Sequence, residues 1–234
     1  LKENSEMLQK VFKTKRPVLT LSSSGTGGME ASVSNFLSRG DKAIVLSCGK
    51  FGERFTELCN AYGVTPIELK NDWGKDIKPA EVEKALKENP DAKAVYTEYS
   101  ETSTAVAFDI KGIAEVVKKT DAILVVDGIT AIGAMEFEMD DWGVDVAIAG
   151  AQKSFMIPPG AAFVSYSEKA EKLMADSDLP KYYLDLAKQA KSEAKNSTAF
   201  TPAVTVYIGL NYALKMMVEE GMDHVVKRHS ILAS

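Results

Sequence analysis

The chain has 234 residues, 45% of them hydrophobic and 26% charged, which suits an ordinary globular α/β unit at the upper end of one domain. Its formal net charge of −5 leaves no basic excess to neutralise phosphates, so nucleic acid and anionic membrane surfaces are excluded as expected partners. No apolar run reaches the roughly 18–20 residues of a membrane-spanning helix, and Cys48 and Cys59 match neither a disulfide framework nor a metal knuckle, which points to a reducing, cytoplasmic setting.

In chain order, residues 1–12 read as helix, followed by a strand at 17–21 and a helix near 26–38. Further β-branched runs predict strands at 42–47, 65–69, 93–99, 122–127, 145–150 and 161–166. Amphipathic stretches near 51–62, 79–89 and 110–119 separate the earlier ones. Strands spaced by helices of this length imply βαβ crossovers and a mainly parallel sheet with helices on both faces. The last two strands are joined by a short loop without a helix, so one antiparallel strand is expected. Helices near 167–175, 181–193 and 203–219 complete the pattern, and the final residues are again helical. The chain opens without Met and neither end carries a helix stop signal, so the expectation is a fragment of something longer.

Open α/β sheets bind ligands at the carboxyl ends of their strands. After strand 17–21 comes Ser22-Ser23-Ser24-Gly25-Thr26-Gly27-Gly28, leading into a helix. Its small residues allow close backbone approach, and a helix start favours an anion, here a phosphate. The same segment could instead be a plain turn with a hydroxyl N-cap. It is neither G-x-G-x-x-G nor a Walker A loop, which disfavours a Rossmann nucleotide site. Asp127 closes the apolar run Ile123-Leu124-Val125-Val126 and needs a partner there, if only the next turn. Lys153 follows strand 145–150 among small and apolar residues, where an amine can become a Schiff-base nucleophile.

Four segments in order carry a resemblance: SSSGTGGMEA, YSETSTA, VVDGITAIG and AGAQKSFMIPPG. Together they resemble the class V aminotransferases, fold-type I pyridoxal-phosphate (PLP) enzymes, and within them the serine–pyruvate and alanine–glyoxylate group. The resemblance implies a three-layer α/β/α large domain over residues 1–234, with an N-terminal segment and a C-terminal small domain outside it. It implies a PLP homodimer transferring an amino group from a serine- or alanine-type donor to glyoxylate or pyruvate. Lys153 would form the Schiff base and then shuttle the Cα proton, while Asp127 would pair with the pyridine nitrogen. Ser24, Gly25, Thr26 and Gln152 would meet the phosphate, and Thr102 the ring hydroxyl or its surroundings. Phe51 would stack on the ring where relatives often carry Trp, although it could simply pack at a helix start. Ser197 and Thr198 would reach the partner subunit's phosphate, or cap the helix that follows.

The substrate-carboxylate arginine of the family lies in the small domain, and Arg16, Arg39, Arg54 and Arg228 do not match its position. A chain limited to these residues is therefore expected to bind PLP but transaminate poorly. Two departures, Thr26 for a bulky residue or His and Ala105 for Gly, bear on substrate fit. A cysteine desulfurase or selenocysteine lyase shares the fold but places His where Gln152 stands; a non-catalytic PLP-fold subunit is the other alternative. His224 and His229 lack helix-face metal spacing, Cys48 and Cys59 read as small buried residues, and Met216 and Met217 read as core. Lys188, Lys191, Glu193 and Lys195 read as a solvated helix face.

Overall fold

The computed structural model describes residues 1–234 throughout. In chain order its elements are α1 (Lys2–Phe12), β1 (Val18–Leu21), α2 (Gly25–Phe36), β2 (Lys42–Ser47), α3 (Lys50–Tyr62), β3 (Thr65–Lys70), α4 (Pro79–Glu88) and β4 (Ala92–Glu98). They continue with β5 (Ser100–Glu101), β6 (Val106–Ala107), α5 (Ile110–Val117), β7 (Ile123–Asp127), α6 (Met139–Trp142), β8 (Val146–Gly150), β9 (Ala162–Tyr166), α7 (Glu168–Asp176), α8 (Leu186–Glu193), α9 (Val204–Glu220) and α10 (Met222–Ala233).

Seven strands form one sheet in the order β1-β9-β8-β7-β4-β2-β3. All neighbours are parallel except β9, which runs against both β1 and β8. The expected single antiparallel strand is therefore present. Strands β7 and β8 are buried along their whole length, as a parallel sheet covered on both faces requires. Their side chains alternate between two cores: Leu124 and Val126 join α1, α4, α5 and α9, whereas Ile123 and Val125 join α2, α3 and α7. At the edge, β3 is only partly buried and carries Lys and Glu, which suits an edge strand. No helix is long and apolar enough to cross a membrane.

Three readings of the sequence change. The stretch from 181 is not helical until Leu186, because Asp185 caps α8 by accepting from the Lys188 N–H at 2.9 Å. Glu193 is not part of a solvated face: its Oε1 accepts from the Thr20 N–H (2.8 Å) and from Gln189 Nε2 (2.7 Å), tying α8 to β1. Of the methionine pair, Met217 is core but Met216 is 62% exposed, since neighbouring positions on a helix face apart. Cys48 and Cys59 are free and buried, as expected.

Because β9 alone is reversed, the carboxyl ends of β1, β2, β4, β7 and β8 open on one edge of the sheet. Every segment singled out by the sequence for chemistry, apart from the one that holds Ser197 and Thr198, starts there.

Candidate active site

A cleft of about 210 Å³ opens at that edge. It is lined by Ser24, Gly25, Thr26, Phe51, Arg54, Ser100, Thr102, Asp127, Ile129, Thr130, Gln152 and Lys153. Eight of the ten residues nominated from sequence are among them. The other two, Ser197 and Thr198, lie outside it in the segment after α8, where Thr198 Oγ1 donates to the Phe200 carbonyl at 2.7 Å.

The floor comes from β7. Asp127 ends that strand with its carboxyl buried; Oδ1 accepts from the Ile129 N–H at 2.8 Å, and Oδ2 takes no hydrogen bond from the chain. The expected turn cap is thus real, and half of the carboxylate is left over. Burial pushes this acid up to about 7, against the pull of the Ile129 N–H and of the Arg54 and Lys153 charges. A group so placed ionises readily only beside a cation.

The next strand end supplies the amine. After β8 the chain turns at Ala151–Phe155, held by the Ala151 N–H on Ala161 O (3.0 Å) and by Ser154 Oγ on Ile132 O. This turn leaves Lys153 exposed to the cleft with no ion pair or hydrogen bond at its Nζ. Gln152 sits beside it.

The anion end is the start of α2. Ser24 is the N-cap, yet no side chain caps the helix, so its first N–H groups stay open to a ligand. Gly25 is required by proximity: a Cβ there would fall 2.5 Å from Ile129 Cδ1. Elsewhere in the lining Thr102 Oγ1 lies 3.4 Å from Thr130 Oγ1, which in turn donates to the Ser100 carbonyl at 3.1 Å.

Phe51 and Ile129 are the cleft's two apolar residues. Phe51 stands at the start of α3, fixed by Glu101, whose Oε2 accepts from the Phe51 N–H (2.9 Å) and the Gly52 N–H (3.1 Å). A flat ring of moderate size with an anionic tail fits this lining: a buried carboxylate, an amine, one aromatic and one aliphatic side chain, and an uncapped helix start.

Sequence reasoning set Arg54 aside and nominated none of Ser100, Ile129 and Thr130 for the site. Arg54 was detectable, because it follows Phe51 by three residues on the same helix face.

The family model for class-V aminotransferases matches residues 3–234. A soluble hydrogenase small subunit from Synechococcus is 44% identical, aligned over 95% of this chain and 59% of its own. An L-aspartate–glyoxylate aminotransferase from Paracoccus denitrificans is 36% identical over 98% of this chain and 59% of its own. Among solved structures, an alanine–glyoxylate aminotransferase from Nostoc sp. superposes with a TM-score of 0.93 at 27% identity, covering 97% of this chain and 61% of that one. The chain thus spans about three fifths of the length of these relatives. With the cleft in place and the match running almost end to end, this chain belongs to the class-V aminotransferase family.

Proposed function

We propose that the protein is a PLP-dependent aminotransferase that moves the amino group of a small amino acid to a keto acid such as glyoxylate or pyruvate. In this reading residues 1–234 are its cofactor-binding large domain. The observation that carries it is that Asp127 and Lys153, delivered by the adjacent parallel strands β7 and β8, line one cleft together with an uncapped helix start.

When bound, PLP supplies an electron sink for the pair left at the substrate's Cα. Lys153 would hold the cofactor through its amine, and its Nζ, when free, would take and return the Cα proton. Asp127, with Oδ2 free of bonds from the chain, would pair with the ring nitrogen, and a positive charge there would keep it ionised. Ser24, Gly25, Thr26 and Gln152 offer donors to the phosphate, Thr102 to the ring hydroxyl, and Phe51 a stacking face. The family relationship supports PLP, and two of the relatives described above, named as glyoxylate aminotransferases, support glyoxylate as the acceptor.

The remaining parts of the reading concern what surrounds the cleft. The exposed Ser197 and half-buried Thr198 reach the partner subunit's phosphate in a homodimer. The arginine for the substrate carboxylate comes from a small domain beyond these residues, so residues 1–234 alone transaminate poorly. Two free, buried cysteines suit the cytoplasm. A non-catalytic subunit role is the second reading, favoured by the subunit name of the Synechococcus relative; Lys153 and Asp127 sharing one cleft weigh against it.

The test is chemical. Loaded with PLP, the protein is expected to absorb in the visible, and borohydride reduction followed by peptide mapping should find the label on Lys153. Label on any other residue overturns the assignment.

A further inference from the structure

Arg54 is the cleft's one arginine, and the reading just given assigns it nothing. Its Nη1 donates to Thr26 Oγ1 at 3.2 Å, and its guanidinium carbon lies 4.8 Å from the centroid of the Phe51 ring. The chain's other arginines lie outside the cleft: Arg16 pairs with Glu168 and Glu171, Arg228 with Glu220, and Arg39 is exposed beside Gly63. Arg54 is half-buried, forms no ion pair, and spends one of its five N–H groups on Thr26.

A guanidinium in a cleft ordinarily has an acid opposite it, and here none is free to serve. Asp127 is claimed by the ring nitrogen. Glu101 is spent on backbone, accepting from the Phe51, Gly52 and Ser103 N–H groups and from Ser103 Oγ. Glu98 is buried beneath α3 with neither carboxyl oxygen bonded, and burial together with the Asp127 charge favours its neutral form. The phosphate is already served by the start of α2. The counter-ion of Arg54 must therefore arrive with a ligand.

Resting on the aminotransferase reading, we infer that Arg54 holds a second carboxylate on the amino donor, so that the preferred donor is a dicarboxylic amino acid. The planar fork matches a carboxylate in two-point contact, which an ammonium or a hydroxyl cannot reproduce. The Thr26 hydroxyl and the Phe51 ring hold the fork in place beforehand, so little freedom is lost when the carboxylate binds. A methyl or hydroxymethyl side chain would leave the cation unmatched.

The experiment uses the full-length protein loaded with PLP, following the change in its visible band as L-aspartate, L-glutamate, L-serine or L-alanine is added. Wild type is expected to bind the two dicarboxylates more tightly. Arg54→Gln should weaken them by about 10-fold or more, the loss of a charge-assisted pair, while serine and alanine change by no more than about 3-fold. Arg54→Lys should recover part of the difference. Equal losses for both classes would place Arg54 on the phosphate or the α-carboxylate and overturn the inference, as would a wild type with no dicarboxylate preference. Absence of any visible band in wild type overturns the aminotransferase reading itself, and the inference with it.

Discussion

Asp127 and Glu98 stand opposite each other in the register of β7 and β4, both buried, and only Asp127 takes a hydrogen bond from the chain. Burial raises both acids, Asp127 to about 7 and Glu98 well above its usual range. The sign of the effect on stability follows. Below about pH 4 folded and unfolded chains both hold the Asp127 proton, and nothing is lost. Between there and pH 7 the unfolded chain releases a proton that the folded one keeps, so stability falls as pH rises, by on the order of 4 kcal/mol for Asp127. Urea unfolding of the cofactor-free protein between about pH 5 and about pH 7 should show this decline; Asp127→Asn should make it shallower, and the slope that remains belongs to Glu98. A wild-type curve level over that range would contradict the burial argument. A second residue-scale case is Ala105, in the turn between β5 and β6, whose φ of 56° lies in the left-handed region. The resemblance places Gly there, and the backbone explains why. Ala105→Gly is expected to gain about 1 kcal/mol, read as a rise in Tm, because a Cβ is removed from a conformation it disfavours.

The elements were legible where burial is complete and regular. The runs Ile123–Asp127 and Val146–Gly150 are apolar on both faces, so their strand character is written in composition alone. The β5–β6 hairpin and α6 were not, because they span two and four residues and are fixed by tertiary contacts rather than by periodicity. Glu193 misled for a similar reason: its neighbours Lys188 and Lys191 are exposed, and only the arrival of β1 makes it an acceptor for Thr20. The contact of α2 with β8 gives a test at this scale. A Cβ on Gly28 would stand 2.7 Å from Ile148 Cγ2 and 3.4 Å from the Ala162 Cβ. Gly28→Ala should therefore lift α2 from the sheet and cost about 1–3 kcal/mol in urea unfolding. Since Ser24, Gly25 and Thr26 ride on the same helix start, PLP affinity should fall with it; a variant of unchanged stability and affinity would show that the packing is looser than described.

For the molecule as a whole, the cleft is assembled from five strand ends that the chain visits at widely separated points, and the sequence disclosed them unequally. Asp127 and Lys153 each follow an unmistakable buried strand, so their meeting was foreseeable from strand order. Arg54 was discounted because it does not match the family's carboxylate arginine, and its value depends on Thr26, which belongs to another helix. Ser197 and Thr198 fall outside this subunit's cleft altogether. Strand β1 adds a constraint of timing. It pairs only with β9, Val18 lying opposite Ser165, so the ribosome delivers this ribbon early and its companion late. Throughout synthesis of the intervening segment the nascent chain carries an unprotected edge and an unanchored Ser24 turn. The binding edge can close only after Tyr166 has emerged, which makes a long-range docking event the step that turns a folded sheet into a receptor for its ligand.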